Sequence, residues 1–364
     1  MKRILHVVSK MDRAGQETLI MNLYRNIDRT KIQFDFLCTN PDKGDYDDEI
    51  ASLGGIIHIL PSQKKIIKYF DYILSVFNTA NYLRQLNYNI IHLHNYHAFS
   101  SLICVAAAKL AGIDNVILHC HNTNAPRPLL HKICRPLLSL FHINRFACSA
   151  DASRWMFGKK ESKIILNGID SQKFEFNSEQ RKILRNEFGL KDSTTAILHI
   201  GRFNYQKNHI FLLNVFNAFH ISHPDSKLLL IGKGELETEI KDYIFSLGLN
   251  DSVKLLGIRN DIPSILNACD LFLFPSLFEG LSVVLVEAQA SGIPILTTDN
   301  LADETIFSNN VKQMGLSQEI GDWANAIEST IKLGRNISTS KMIADNGFDI
   351  KTVAKDLQHL YLGL

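Results

Sequence analysis

LFLFPSLFEGLSVVLVEAQASG, Leu271 to Gly292, is the stretch from which the architecture of this chain can be worked out. Leu271–Phe274 reads as a buried strand, Pro275–Leu281 as the loop leaving its carboxyl end, and Ser282–Ala290 as a helix closed by Gly292. Strand, loop and helix in that order are the building block of an α/β protein with parallel sheets. Two carboxylates, Glu279 and Glu287, interrupt a run that is otherwise almost wholly apolar. Glu279 falls in the loop, and Glu287 falls inside the helix about a turn and a half from its start. The backbone N–H groups of Gly280, Leu281, Ser282 and Val283 would form an anion site at the helix start, aided by its dipole. A carboxylate at each end of such a site suits a ligand with vicinal hydroxyls on both sides of its phosphates, which describes a nucleotide sugar. Spacing alone leaves a second reading open, in which Glu287 merely solvates one face of a surface helix.

The same alternation runs outward in both directions. RILHVVS, FDFLC, IIHIL, NIIHLHN, NVILHCHN and FACS precede it in one half, and AILHIGR, KLLLIGKGE, VKLLGI, LFLFPS and PILTTD mark the other, each followed by a segment of helical period. The chain turns polar after Asn167-Gly168, which places a boundary near Ile169: an N-terminal Rossmann-like domain over 1–168 and a C-terminal one over 169–349. A closing amphipathic helix over 350–364 could complete the first domain. Two such domains would face each other across a cleft, with ligands outside the carboxyl ends of the strands.

Composition narrows the chemistry. The chain has 364 residues, 46% of them hydrophobic, which is enough for two ordinary cores. A net charge of +2 gives no reason to expect nucleic acid as partner. Six scattered cysteines without a C-x-x-C pair fit thiols in a reducing compartment, and hence a cytoplasmic protein. The apolar run at the N-terminus ends at Val8 with no small-residue cleavage site after it, so it reads as a first strand.

Three further segments carry chemistry. HIGRFNYQKNHIFLL, His199 to Leu213, is another strand, loop and helix, with Arg202 and Lys207 in the loop, where two cations could hold a diphosphate whose charge grows as it leaves. VVSKMDRAGQETLIMNL repeats the design in the first half, with Gly15 at the helix start, while the absence of G-x-G-x-x-G weighs against a dinucleotide. NVILHCHN ends a strand with His119 and His121 on one side of it. No Cys, Asp or Glu stands nearby in sequence to make a third ligand, so no metal site is expected there; His94 and His97 read as structural. The acidic run DKGDYDDE, Asp42 to Glu49, contains a D-x-D string but reads as a solvated loop.

Taken in order, the Gly15 loop, His121, NGID, GRF with Lys207, IGKGE, LGIRND and the E-x7-E of Glu279 and Glu287 resemble family 4 of the retaining glycosyltransferases with the GT-B fold. Within that family, ILHVVSKMDRAGQETLIMNLYR and HCHN are most similar to enzymes of bacterial exopolysaccharide and capsule assembly. The resemblance implies that Arg202 and Lys207 hold the donor diphosphate, that Glu287 binds the ribose, and that Glu279 with the amides of Gly280, Leu281 and Ser282 binds the transferred sugar. It also implies that Gly232, Lys233, Ile258 and Arg259 line the base pocket, that Gly15 lies against the phosphates, and that His121 faces the reacting sugar. Family members usually need no metal and no cofactor beyond the nucleotide-sugar donor. Many have a proline or a small residue where this chain has Leu281-Ser282-Val283, which leaves the donor sugar open.

The expected reaction is retaining transfer from a UDP-sugar to a glycan acceptor that is lipid-linked. QKKIIKYFDYILSVF, with Lys64, Lys65 and Lys68, and RPLLHKICRPLL, with Arg127, Lys132 and Arg135, suit contact with an anionic membrane at its inner face, although a core-facing helix gives the same pattern. The alternatives are a UDP-sugar 2-epimerase on the same fold and a non-catalytic nucleotide-sugar-binding partner subunit.

Overall fold

The computed structural model of the chain describes residues 1–61, 70–95, 97–123, 127–279, 281–301, 303–336 and 339–364. Contacts divide it into two compact units, Met1–Ile169 with Gly347–Leu364, and Asp170–Asn346.

The first unit is built on a seven-stranded sheet of β1 (Lys2–Val8), β2 (Ile32–Cys38), β3 (Ile57–Ile59), β4 (Ile90–His94), β5 (Asn115–Cys120), β6 (Asn144–Ala147) and β7 (Lys163–Ile164), ordered β3-β2-β1-β4-β5-β6-β7. Every pairing is parallel. All seven residues of β2 are buried, as expected of a strand covered on both faces. The helix Ile350–Gly363 packs in this unit, where Ile350, Val353, Ala354, Leu357 and Tyr361 share a core with Ile4, Phe34, Ile117 and Phe146. Asp349 caps it by accepting from the Thr352 N–H at 3.0 Å.

The second unit carries β8 (Thr195–Ile200), β9 (Ser226–Ile231), β10 (Val253–Leu255), β11 (Leu271–Phe274), β12 (Ile295–Thr298) and β13 (Val311–Met314), a parallel six-stranded sheet ordered β10-β9-β8-β11-β12-β13. Its core gathers Phe203, Phe216, Leu228, Leu273 and Trp323. Asp270, just before β11, receives Arg181 at 2.6 Å and the buried Arg185 at 3.2 Å, and so fastens the helix Ser178–Glu187 to the amino end of the sheet.

Both sheets reverse their strand order at one place, between β1 and β4 in the first and between β8 and β11 in the second. Connections leave the sheet in opposite directions there, which opens a crevice at the carboxyl ends of the strands. Among the described residues, no helix is long and apolar enough to cross a membrane.

Candidate functional site

At the reversal point of the second sheet, the loops after β8 and β11 meet. Asn204 opens a short 3-10 turn, Tyr205–Lys207, by accepting from the Lys207 N–H at 3.3 Å. Asn208 follows in the left-handed region, at φ 55°, and the helix His209–Ser222 begins. Gln206 and Asn208 then hold the other loop by its main chain. The Gln206 side-chain amide donates to the Phe278 carbonyl at 2.8 Å, its own carbonyl accepts from the Leu277 N–H at 2.9 Å, and the Asn208 amide donates to the Pro275 carbonyl at 3.2 Å. These clamps bring Lys207 and Glu279 together: Lys207 Nζ donates to Glu279 Oε1 at 2.6 Å and lies 4.6 Å from the centre of the Phe274 ring. Their side chains are only 14% and 7% exposed, so the pair is well shielded from solvent. Beneath it, His199 and His209 are buried, and burial with the nearby ammonium of Lys207 drives both toward the neutral form, His209 down to about 4.

Arg202 is mostly exposed and pairs with Glu235 at 3.2 Å. The loop that carries it lies against the loop after β9: the Gly201 N–H donates to the Ile231 carbonyl at 2.9 Å and the Phe203 N–H to the Lys233 carbonyl at 3.0 Å. Gly232 has φ 146°, and a Cβ there would stand 1.9 Å from the Gly201 carbonyl oxygen, so only glycine allows the approach. Lys233 and Ile258 are exposed, and Arg259 forks onto Asp261 at 2.6 and 2.8 Å and lies over Phe188. Gly232, Lys233, Ile258 and Arg259 thus lie on the loops after β9 and β10, which are joined by the Gly232 N–H donating to the Gly257 carbonyl at 2.9 Å.

The helix Val283–Ala290 starts beside Glu279, with Ser282 at its N-cap. Its first amides cannot be used by the helix's own ladder, which is the condition for an anion site. Leu281 and Ser282 are buried and Val283 is partly so; Gly280 lies outside the described residues. Glu287 is inside the helix, and burial pushes its carboxyl up to about 8. Gln289 fixes the helix from behind, donating to the Thr305 carbonyl at 2.7 Å and accepting from the Phe307 N–H at 2.9 Å.

In the first unit, Gly15 begins the helix Gly15–Asn26 at the carboxyl end of β1, beside the other reversal point. A Cβ there would meet nothing within 4 Å, so the fold itself does not require glycine. Glu17, two residues on, is buried and its carboxyl is pushed up to about 7. His121 follows β5, and His94 Nδ1 lies 2.8 Å from its Nε2. Burial lowers His121 to about 3. His97 accepts from the Phe99 N–H at 3.3 Å and caps the helix Ala98–Leu110. The acidic run is more structured than a solvated loop: Asp47–Ser52 is a helix, Asp47 accepts from the Gly44 N–H at 2.9 Å, and Asp48 pairs with Lys43 at 2.8 Å. Lys64, Lys65 and Lys68 lie outside the described residues.

The structure therefore joins Lys207 to Glu279 and sets Glu287 on the adjoining helix, while Arg202 keeps a partner of its own. Asn204, Gln206, Asn208, Phe274 and Glu17 were not singled out from the sequence. The one available signal was the density of amides in NYQKN, a composition that favours turns.

The site thus combines helix starts at the carboxyl ends of parallel strands with a shielded Lys–Glu pair at a reversal point. The chain belongs to the glycosyltransferases of family 4: residues 180–349 match the model of glycosyl transferases group 1, and residues 13–173 that of Glycosyltransferase Family 4. It is 33% identical over 377 residues to EpsF of Bacillus subtilis (strain 168), covering 99% of this chain and 96% of that one. To CapH, a capsular polysaccharide biosynthesis glycosyltransferase of Staphylococcus aureus, it is 25% identical, covering 100% and 99%. An Escherichia coli UDP-Gal:alpha-D-GlcNAc-diphosphoundecaprenol alpha-1,3-galactosyltransferase is 25% identical over 80% of this chain and 79% of its own. Among solved structures, Anabaena HepE in complex with UDP and glucose superposes with a TM-score of 0.80 at 20% identity, covering all of both chains, which gives this chain the GT-B fold.

Proposed function

We propose that this chain transfers a hexosyl or N-acetylhexosaminyl group from a UDP-sugar to a lipid-linked glycan, with retention of anomeric configuration and without a metal in the transfer. The observation that carries the reading is the buried Lys207–Glu279 pair at the reversal point of the second sheet. An ammonium fixed between a carboxylate and an aromatic ring cannot swing away, so it presents a pre-oriented charge to a diphosphate. The Arg202–Glu235 pair is exposed and worth little in water, which lets an arriving diphosphate take the guanidinium in bidentate fashion. Cations and helix amides together stabilise the departing UDP, and its phosphate can accept the acceptor's proton on the face from which the new bond forms. Glu287 would receive the two ribose hydroxyls, and Glu279, held by Lys207, would read the sugar. His121 would face the reacting carbon.

Support for a UDP donor and a lipid-diphosphate acceptor comes from the name of the E. coli relative. Membrane contact at the inner face of a cytoplasmic membrane is supported by four aliphatic side chains turned to solvent on the helix Pro128–Cys134 and the 3-10 segment after it: Leu129 (71% exposed), Ile133 (63%), Leu137 (46%) and Leu140 (77%). Arg127 and Lys132 are exposed beside them.

The test is turnover with UDP-sugars and a lipid-diphosphate acceptor, with the product anomer determined by NMR. Arg202→Ala and Lys207→Ala should each lower turnover by a factor of about 100. Because Arg202 is exposed, its variant should fold normally, and near-normal turnover in it would overturn the assignment. Release of free sugar or an epimer from the donor alone would instead favour the epimerase reading.

A further inference from the structure

Five imidazoles lie on one face of the first sheet, and the donor reading uses only one of them. The register sets His6 opposite His92 and His94 opposite His119, and His121 stands two residues after His119 on the same side. His119 and His121 have ring centres 4.0 Å apart, and His94 is 5.1 Å from His121 and 5.6 Å from His119. One ring nitrogen from each of His94, His119 and His121 lies within 4.8 Å of the other two. No third ligand stands beside His119 and His121 along the chain; the third imidazole comes from the neighbouring strand.

Two of these three rings, His94 and His119, are held from behind. His6 Nδ1 lies 2.9 Å from His94 Nε2, His92 Nε2 lies 3.2 Å from His119 Nδ1, and the Tyr361 hydroxyl lies 2.6 Å from His92 Nδ1. That leaves His94 Nδ1, His121 Nε2 and His119 Nε2 on the inner side. His119 is 1% exposed, and its Nε2 is buried without a partner. A chain of imidazoles sharing protons would satisfy only the contacts inside the His6–His94–His121 series; it leaves His6 Nε2 and His121 Nδ1 at its ends without partners, and it does not reach His119 Nε2, which faces the other two rings and needs a donor or an electrophile. Three imidazoles on one sheet face, two of them oriented by outer partners, suit a transition ion with nitrogen ligands.

We propose that His94, His119 and His121 bind one first-row transition ion of the Zn²⁺ class, with His6 and His92 as the outer partners that orient His94 and His119. Three imidazoles leave the fourth position of a tetrahedral ion to water, and the partial exposure of His94 and His121 gives the ion a path in. Tetrahedral ligands with bonds of 2.0–2.1 Å stand about 3.3 Å apart. The His94–His121 contact of 2.8 Å therefore has to lose its shared proton and open by about half an ångström. Binding does not depend on the donor reading, since every ligand lies on the first sheet, although an occupied site would withdraw His121 from a sugar.

The experiment uses the full chain without a histidine tag, stripped with EDTA. Co²⁺ is titrated as a spectroscopic probe, then Zn²⁺ by calorimetry. One equivalent of Co²⁺ should give the visible absorption of a tetrahedral site, and one equivalent of Zn²⁺ should displace it. His92→Gln should weaken affinity about 10–100-fold, and His119→Gln should abolish the band. His121→Ala, at a partly exposed position, should do the same while far-UV circular dichroism reports an intact fold. Featureless cobalt spectra, stoichiometry well below one, or a band that survives His121→Ala in a folded protein would overturn the proposal and leave the rings as a proton-sharing stack.

Discussion

Glu287 is partly exposed, yet burial moves its carboxyl from an ordinary 4.5 up to about 8. A carboxyl that keeps its proton more tightly when folded than when unfolded makes the fold lose stability as pH rises from about 4.5 to about 8, and the loss is complete above that. Glu287→Gln removes this effect. The variant's Tm should therefore rise relative to wild type across that window, by a few degrees at pH 8.5, and match it near pH 4.5. Ribose hydroxyls donate to the ionised form, so UDP affinity of the wild type should increase between pH 6.5 and 8.5, while the Gln variant follows only the titration of the nucleotide itself. Identical pH profiles for the two proteins in calorimetry would remove Glu287 from the ribose. At this scale, the charged residues were legible because a cation or carboxylate in a strand-loop-helix junction has few places to go. Gln206 and Asn208 were not, because they act on the main chain of 275–278, far away in sequence, and His94 was not, because its relation to His119 exists only through strand register.

Among elements, strands covered on both faces announce themselves as apolar runs, and β8, β9 and β11 could be read directly. β13 could not: VKQM is half polar, sits at a sheet edge and is only partly buried, so neither run nor alternation marks it. RPLLHKICRPLL poses the opposite problem, since a pattern with apolar residues on every side hides which ones face inward. His131, Cys134 and Leu138 are the buried ones, and Leu129, Ile133, Leu137 and Leu140 face out at spacings of four, four and three. An outward aliphatic row with cations beside it fits insertion at the boundary of headgroups and acyl chains. Co-sedimentation with vesicles of anionic phospholipid at low salt should pull down the wild type, and Leu129→Ser with Ile133→Ser and Leu140→Ser should stay in solution. Failure of the wild type to sediment under those conditions would rule out this face as a lipid contact.

At the scale of the molecule, the last helix makes the first unit depend on the far end of the chain. The ring of Tyr361 meets Phe34 edge-on at 5.9 Å, its hydroxyl reaches His92, and Lys2 Nζ donates to the Leu362 carbonyl at 2.9 Å. Amphipathic period made TVAKDLQHLYLGL recognisable as a helix, but its partner is a sheet built from the other end of the sequence, and no periodicity encodes that. During synthesis the whole of Asp170–Asn346 emerges before residue 350 can return, so the second unit can fold while the first still lacks part of its core. The two units should then differ in how they respond to damage at the last helix. Tyr361→Ala removes a fully buried ring and should cost the first unit about 3–5 kcal/mol. Hydrogen exchange followed by mass spectrometry should show β1, β4 and β5 losing protection while β8, β9 and β11 keep theirs. Equal loss in both sheets would mean that they unfold as one cooperative body and that the closing helix does not belong energetically to the first unit alone.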